Sequence, residues 1–486
     1  MTISLSKDEE LSKNVLLYNT LTRCKEEFSP SRDGTVRMYA CGLTVYARGH
    51  IGNFRTFVCL DVLRRTLRHV AGFNLRQVIN FTDVDDKTIK AARAAGVSLR
   101  DYTDQFVQAF RDDAQAVGLE TVEEYPRATD EENLRAMAKT VMELETRGHA
   151  YRSDGAVYFK ISTFQNYGKL ARLDHDGIKI GARIDSDQYS KHDARDFVLW
   201  KVTKPDEPSW DFGLGPGRPG WHIECSAMAL RLLGDLPIDI HAGGIDLVFP
   251  HHENEIAQAE GATGKTFSRF WVHVEHLLLA QGDKMSKSQG NVLTVRDVLD
   301  RGHRASALRY VLMSTHYRKQ LRFSWESLEQ AEESVTRLMD CVARLDAVIK
   351  ASSCPDLDAR ISQVRQAFAQ MMLDDLNTPG ALGVVFELVR DVNTAIDAGK
   401  IGIGNVENLR AVFDYFDQVL GVLSLRRVED TVLSVPIDEI ERLIAERQDA
   451  RKSRNFSAAD QIRTDLAARG IVLEDSSSGT RWKRGS

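Results

Sequence analysis

The chain has no apolar run near the roughly 20 residues needed to span a bilayer, which argues against a membrane role. Its first stretch, "MTISLSKDEELSKNVLLYN", lacks the basic start, apolar block and small-residue cleavage site of an export signal, so a cytoplasmic location is expected. Cysteine is scarce: Cys24, Cys41, Cys59, Cys225, Cys341 and Cys354 are scattered through 486 residues without framework spacing. That argues against a disulfide scaffold and for free thiols or metal ligands. A surplus of positive charge is missing too. The net charge of −6 rules out a uniformly basic surface, though a local basic stripe suffices to meet phosphates. There is no internal repeat and no low-complexity tract.

What is present, 43% hydrophobic and 28% charged residues, is ordinary for a globular protein, and the length fits roughly two to four domains. "VRMYACG", ending at Gly42, reads as a buried strand, and Phe57, Leu60, Leu63, Leu67 and Val70 follow at helical spacing. "LRQVINFTDVDD" reads as a second strand, giving a β-α-β nucleotide-binding half. A helix is expected from Asp130 to Arg147, then a hairpin around Asp154-Gly155 that opens an insertion reaching Pro219. Alternation of strand and helix resumes with "GWHIECSAMALRLLG" and "PIDIHAGG". Beyond Trp325 long amphipathic helices predict a bundle, with Thr378 as a cap and Pro379 at a first helical position. The less patterned "SLRRVEDTVLSVP" leads to a small end module of two short helices and "GIVLEDSSSGTRWKR". The expected fold is α/β: a Rossmann-type nucleotide-binding catalytic domain with an inserted connective domain, followed by an α-helical bundle and a small C-terminal α+β module.

Two separated stretches point to phosphate chemistry. His50, Ile51, Gly52 and Asn53 stand where a strand passes into a helix; Gly49 and Gly52 permit close backbone approach, and the helix start offers N–H groups and a positive dipole end. A surface histidine at a helix start is the bland alternative. In "DKMSKSQGN", Lys284 and Lys287 flank small hydroxyl residues in a glycine-containing loop and can close over a polyphosphate. In "FPHHENEIAQ", Pro250 suits a first helical turn, and His251 and Glu255, four residues apart, share a face and can reach one metal. By itself such a pair also fits a solvated helix start, and two ligands make a poor cage. His252 and Glu253 point elsewhere and are read as plain surface residues.

"HIGN" with "KMSKS" resembles the paired signature of class I aminoacyl-tRNA synthetases, and "ACGLTVY", "NFTDVDDK", "DFVLWK", "GWHIECSAM", "FPHHENEIAQ" and "DDLNTP" resemble the cysteinyl-tRNA synthetase family in particular. The match runs from about Leu16 to Arg484. Asn53 stands where the family's "HIGH" form ends in histidine; an amide still donates to phosphate but carries no charge. The resemblance divides the chain into a first Rossmann half (1–125), the connective insertion (126–219), a second Rossmann half (220–268), a stem-contact region with the KMSKS loop (269–325), a tRNA-binding bundle (326–427) and an anticodon-binding module (436–486).

The resemblance also implies partners for the helix pair. Cys41 and Cys225, both expected near strand ends, correspond with His251 and Glu255 to the family's zinc ligands, one ion per chain. Mixed thiolate, imidazole and carboxylate donors suit zinc. Trp221 is implied to pack beside the amino acid and Asp246 to hold its ammonium group, against the alternatives of a buried aromatic and a capping carboxylate. In "TDVDD", Asp83, Asp85 and Asp86 invite a magnesium site or turn and surface roles, and both stay open.

The implied activity is that of a cysteine-activating ligase. ATP with Mg²⁺ reacts with L-cysteine to give cysteinyl-adenylate, and the cysteinyl group passes to the 3′-terminal adenosine of tRNA(Cys). His50, Gly52, Asn53, Lys284 and Lys287 would contact ATP, and a monomer is expected. "HYRKQLRFSW" interleaves Arg318, Lys319 and Arg322 with Tyr317, Phe323 and Trp325, which suits RNA or an ordinary solvated helix start. Competing readings are a ligase joining cysteine to a glucosaminyl-inositol sugar, a binding protein that has lost catalysis, and a zinc hydrolase. The module after Pro436, the intact KMSKS with four ligand matches, and the missing His-Glu-x-x-His pattern oppose these in turn.

Overall fold

The computed structural model describes residues 14–173, 195–234, 236–279, 285, 292–348, 354–431, 437–453, 455–469, 471–476 and 479–484. Its centre is a four-stranded parallel sheet in the order Ser268–Val274, Ile238–Gly244, Thr35–Ala40, Asn74–Ile79. Val36, Met38, Tyr39 and Ala40 are fully buried, as expected for strands covered on both faces by crossover helices. Thr35–Ala40, the first of them in sequence, lies inside the sheet, with its sequence neighbour on one side and a strand some two hundred residues later on the other. The chain therefore changes direction at the carboxyl ends of Thr35–Ala40 and Ile238–Gly244, where open α/β sheets hold their ligands.

The helix Ile51–Arg65 crosses between the first two strands and is buried along most of its length, so its polar positions need internal partners. Asp61 on this helix accepts from Arg309 (2.6 Å), itself fully buried on the helix Ala305–Ser314, and from Arg65 (2.7 Å). Burial opposes the Asp61 charge, but Arg309 and Arg65 outweigh it and hold the carboxyl below its usual range. Arg309 also donates to the carbonyls of Val117, Gly118 and Leu420, joining the sheet domain to the helical bundle.

The stretch between the two sheet halves holds the helix Glu131–Thr146 and an antiparallel sheet of Ala150–Ser153, Ala156–Phe159, Phe197–Val202 and Gly217–Pro219. Its hairpin turns at Asp154 and Gly155, with φ of 50° and 79°, the two positive values that a tight primed turn needs. Four helices, Trp325–Arg344, Pro355–Leu373, Thr378–Asp397 and Ile403–Leu420, make the bundle. The helices Ile437–Lys452 and Phe456–Ala468 pack with a hairpin around their own core of Ile440, Ile444, Leu466, Ile471 and Leu473.

Three expectations change. The cap at the "DDLNTP" corner is Asn377, whose side chain accepts from Gly380 N–H, while the Thr378 hydroxyl turns away to the Met313 carbonyl. The weakly patterned "SLRRVEDT" forms a helix, Leu423–Thr431, that buries Arg426 against Glu332 and so runs past the expected end of the bundle at 427. In "HYRKQLRFSW", Tyr317 and Phe323 are buried, Arg318 is bound to Asp375, and Trp325 lies under the Arg301 guanidinium. Those rings are taken by packing and do not offer stacking faces to RNA. Lys319 and Arg322 remain exposed.

Removing one partner of a buried ion pair leaves the other charge uncompensated, at a cost of about 3–5 kcal/mol. Asp61→Asn is expected to destabilise the protein on that scale, read as a lower urea midpoint; an unchanged midpoint would contradict the assigned role of the pair.

Candidate active site and metal centre

Cys41 is the first residue past the central strand, held by its N–H to the Ala242 carbonyl (3.2 Å). Gly42 follows because a Cβ there would lie 1.6 Å from the Asn80 carbonyl oxygen, so no side chain fits. Cys225 was expected near a strand end; it lies instead within the helix Trp221–Leu233, one turn in, and is fully buried. His251 and Glu255 come from the turn and helix that follow Pro250. The ligand atoms of Cys41, Cys225, His251 and Glu255 all lie within 4.8 Å of one another.

His251 Nε2 is 3.1 Å from Glu255 Oε1, and the Cys41 thiol donates to the same oxygen at 3.3 Å. His222 Nδ1 meets His251 Nδ1 at 2.9 Å, which fixes the ring and turns Nε2 into the cluster. Charge is unevenly shared. Burial pushes the Cys41 thiol well up. Cys225 feels the same burial, but the Cys41 hydrogen bond and His251 bring it down to about 6. Burial disfavours the His251 cation, yet Glu255 and Cys225 push it up to about 10. Glu255 is held well below the usual carboxylate range by His241 and His251 despite its burial. A divalent cation replacing the protons of His251 and Cys41 would leave the net charge of the cluster as it is. Two thiols, an imidazole and a carboxylate at this spacing fit a tetrahedral metal such as zinc.

His252 and Glu253 are not the solvated pair the pattern indicated; both are fully buried. His252 faces the same cluster, its Nε2 3.9 Å from Glu255 Oε1 and its Nδ1 2.8 Å from His273, which in turn meets Thr20 at 2.8 Å. Glu253 turns the other way and accepts from the N–H groups of Gly168, Leu170 and Ala171, tying the insertion to the core. His241, which sequence reasoning passed over, sits with Nε2 3.3 Å from Glu255 Oε2 and 3.6 Å from the Cys41 sulfur. Cys41, His241, His252 and Glu255 therefore form a second close-set quartet sharing two members with the first. The only signal was the odd presence of histidine inside a buried strand, "PIDIHAGG".

Beside the cluster opens a cleft of about 520 Å³, lined among others by Cys41, His50, Gly52, Trp221, Asp246 and Met285. The Trp221 ring stacks on His251, with centroids 4.2 Å apart. Asp246 stands in a short turn after Gly244, where a Cβ would come within 2.5 Å of its carboxylate oxygen. Also lining the cleft, His50 caps the helix Ile51–Arg65: its Nδ1 accepts from Asn53 N–H (3.1 Å), and Asn53 Oδ1 accepts from His50 N–H (3.0 Å). An accepting Nδ1 places the ring proton on Nε2, the edge able to donate to a phosphate. Asn53 thus serves as a capping residue. Met285 of the second phosphate motif approaches Gly52, its Cε 3.2 Å from where a Cβ would stand. Lys284 and Lys287 lie outside the described residues. Asp83 accepts from Thr129, Asp85 caps the helix Asp86–Ala95, and Asp86 pairs with Lys201 and Arg218; all three have structural partners.

Since outer partners of a metal-bound imidazole typically contribute about 10–100-fold in affinity, His222→Ala should weaken metal retention by that factor in competition with a chromophoric chelator. Metal uptake near neutral pH should release about two protons per ion, measurable by calorimetry in buffers of different ionisation heat; no release would refute the charge distribution above.

Residues 27–333 match the family model "tRNA synthetases class I (C) catalytic domain", 367–424 the DALR domain, and 438–482 the cysteinyl-tRNA ligase anticodon binding domain. A cysteine–tRNA ligase of Solibacter usitatus is 49% identical over 468 residues, covering 96% of this chain and 99% of that protein. A cysteine–tRNA ligase of Koribacter versatilis is 44% identical, with coverage of 96% and 99%. Among solved structures, the Mycobacterium tuberculosis methionyl-tRNA synthetase in complex with methionyl-adenylate superposes with a TM-score of 0.58 at 16% identity, over 83% of this chain and 95% of that one, which is a likeness of fold. With relatives this similar over almost its whole length, the chain belongs to the cysteine–tRNA ligase family of class I aminoacyl-tRNA synthetases.

Proposed function

We propose that the chain activates L-cysteine with ATP-Mg²⁺ to cysteinyl-adenylate and transfers the cysteinyl group to the 3′-terminal adenosine of tRNA(Cys). The observation that carries this reading is the buried cluster of Cys41, Cys225, His251 and Glu255, reached through Cys41 from a cleft that the helix start at His50 and Gly52 also lines. The amino acid would lie between Trp221 and Asp246, its ammonium group on the Asp246 carboxylate. His50 Nε2–H and Gly52 would meet the phosphates, and Lys284 and Lys287 would neutralise charge developing at the α-phosphate. The anticodon-domain match over 438–482 favours tRNA over a sugar acceptor. In this reading 126–219 is the connective insertion, 269–325 contacts the acceptor stem, 326–427 supports the tRNA, and 436–486 reads the anticodon.

Serine differs from cysteine by one atom, and hydrogen bonds alone separate the two poorly, whereas protein synthesis needs discrimination on the order of ten-thousand-fold. Zinc, when held by the four residues, binds a soft thiolate far better than an alcohol and lowers the thiol pKa. The chain's part is to bury the donors, keep them charged, and press the Trp221 ring against His251 so that the substrate side chain is shielded from water. The chain is taken to act as a monomer in the cytoplasm; no described helix is long and apolar enough to cross a membrane.

The test is cysteine-dependent charging of purified tRNA with serine as competitor, alongside ATP–pyrophosphate exchange before and after stripping zinc. Charging with cysteine alone, and loss of that preference on metal removal, are expected. Equal use of serine by the metal-loaded protein would remove the selector role, and adenylate formation without any tRNA charging would move the reading to the sugar ligase. Asp246→Asn should raise KM for cysteine more than tenfold, on the order of one lost charge-assisted hydrogen bond, with KM for ATP unchanged.

A further inference from the structure

Arg55, five residues after the cap His50, is fully buried, and its partners are main-chain carbonyls. Its guanidinium donates to Glu275 (3.0 Å), His316 (3.3 Å) and Lys319 (2.6 Å). The same turn is bound a second time through its backbone: Glu275 N–H donates to the Tyr317 carbonyl (2.8 Å) and Leu321 N–H to the His276 carbonyl (3.0 Å). Glu275 and His276 line the cleft. The 316–319 turn is thus fastened by its main chain to the phosphate-facing helix and the cleft wall.

Its side chains are fastened elsewhere. Asp375, at the corner between the bundle helices Pro355–Leu373 and Thr378–Asp397, accepts from the Tyr317 hydroxyl (2.5 Å), from Arg318 Nε (2.8 Å) and from the N–H of Tyr18 (2.9 Å). It is 1% exposed, and it and Leu376 adopt φ of 59° and 54°, a left-handed pair that an L residue holds only when its surroundings demand it. One short turn therefore has its backbone committed to the active site and its side chains committed to the bundle.

Resting on the ligase reading above, we propose that Asp375, through Tyr317 and Arg318, is a positioning residue for the transfer step: it makes the placement of the cleft wall Glu275–Leu277 and of the Arg55 helix depend on how the bundle seats a whole tRNA. Rigid, hydrogen-bonded contacts on both sides of the turn leave little slack between the two.

The experiment compares wild type, Asp375→Asn and Tyr317→Phe in three assays: cysteine-dependent pyrophosphate exchange, charging of full-length tRNA, and charging of an acceptor-stem minihelix too short to reach the bundle. Asp375→Asn should lower kcat for full-length tRNA by about tenfold, the scale of an ordinary coupling between sites, with exchange and minihelix charging kept within about twofold. Tyr317→Phe, which removes one hydroxyl, should give the same pattern more weakly and serves if the first variant does not fold. A parallel loss in all three assays, or no loss with full-length tRNA, would overturn the inference while leaving the ligase reading intact. Wild type that charges no tRNA would instead remove the ligase reading.

Discussion

The parallel pairing of Thr35–Ala40 with Ile238–Gly244 is the interaction on which the site rests. Tyr39 lies beside His241 and Ala40 beside Ala242, and Cys41 is hung from the Ala242 carbonyl. With that register Cys41 arrives at the same sheet edge as the Gly243–His252 run, and the helix holding Cys225 only has to pack against it. A slip of one residue would send alternate side chains to the opposite face and take His241 away from Glu255. The close approach of Gly42 to Asn80 pins the other side of the same strand end.

Neighbouring glutamates show how the interior handles charge. Glu253 is satisfied by three main-chain N–H groups and serves architecture, anchoring the insertion. Glu255, two residues on, meets histidines and a thiol, all of which exchange protons or bind metals. A buried carboxylate needs compensation in either case. What differs is whether the compensating groups are fixed dipoles or titrating ones, and only the second kind makes a site that a cation can enter by displacing protons.

Local patterns were readable where chemistry and spacing coincide. The primed hairpin at Asp154-Gly155, the helix following His50 and the His251/Glu255 face all follow from neighbours in sequence. The helical setting of Cys225 is not legible because a helix buried nearly all round, such as "WHIECSAMALRLL", shows no polar face to betray its period. The role of His241 depends on pairing between distant strands, and the surface reading of His252 fails because its burial is set by contacts with His273 and Glu255 that helix spacing does not reveal. Tyr317 and Phe323 resembled stacking residues because basic and aromatic alternation looks the same whether the rings face solvent or a core. Capping at Asn377 over Thr378 turned on which side chain found the Met313 carbonyl, a contact 65 residues away.

Of the four clustered donors, Cys225, His251 and Glu255 are almost wholly enclosed, at 1%, 1% and 0% exposure, while Cys41 retains 7% and lines the cleft. A cation reaching these donors would therefore pass through the cleft, by Cys41 and the edge of Trp221. On the proposed reading a seated amino acid would fill that passage, so loading would come before the substrate. Exchange of a bound metal would then follow turnover: a protein idling without amino acid would be the one to lose it.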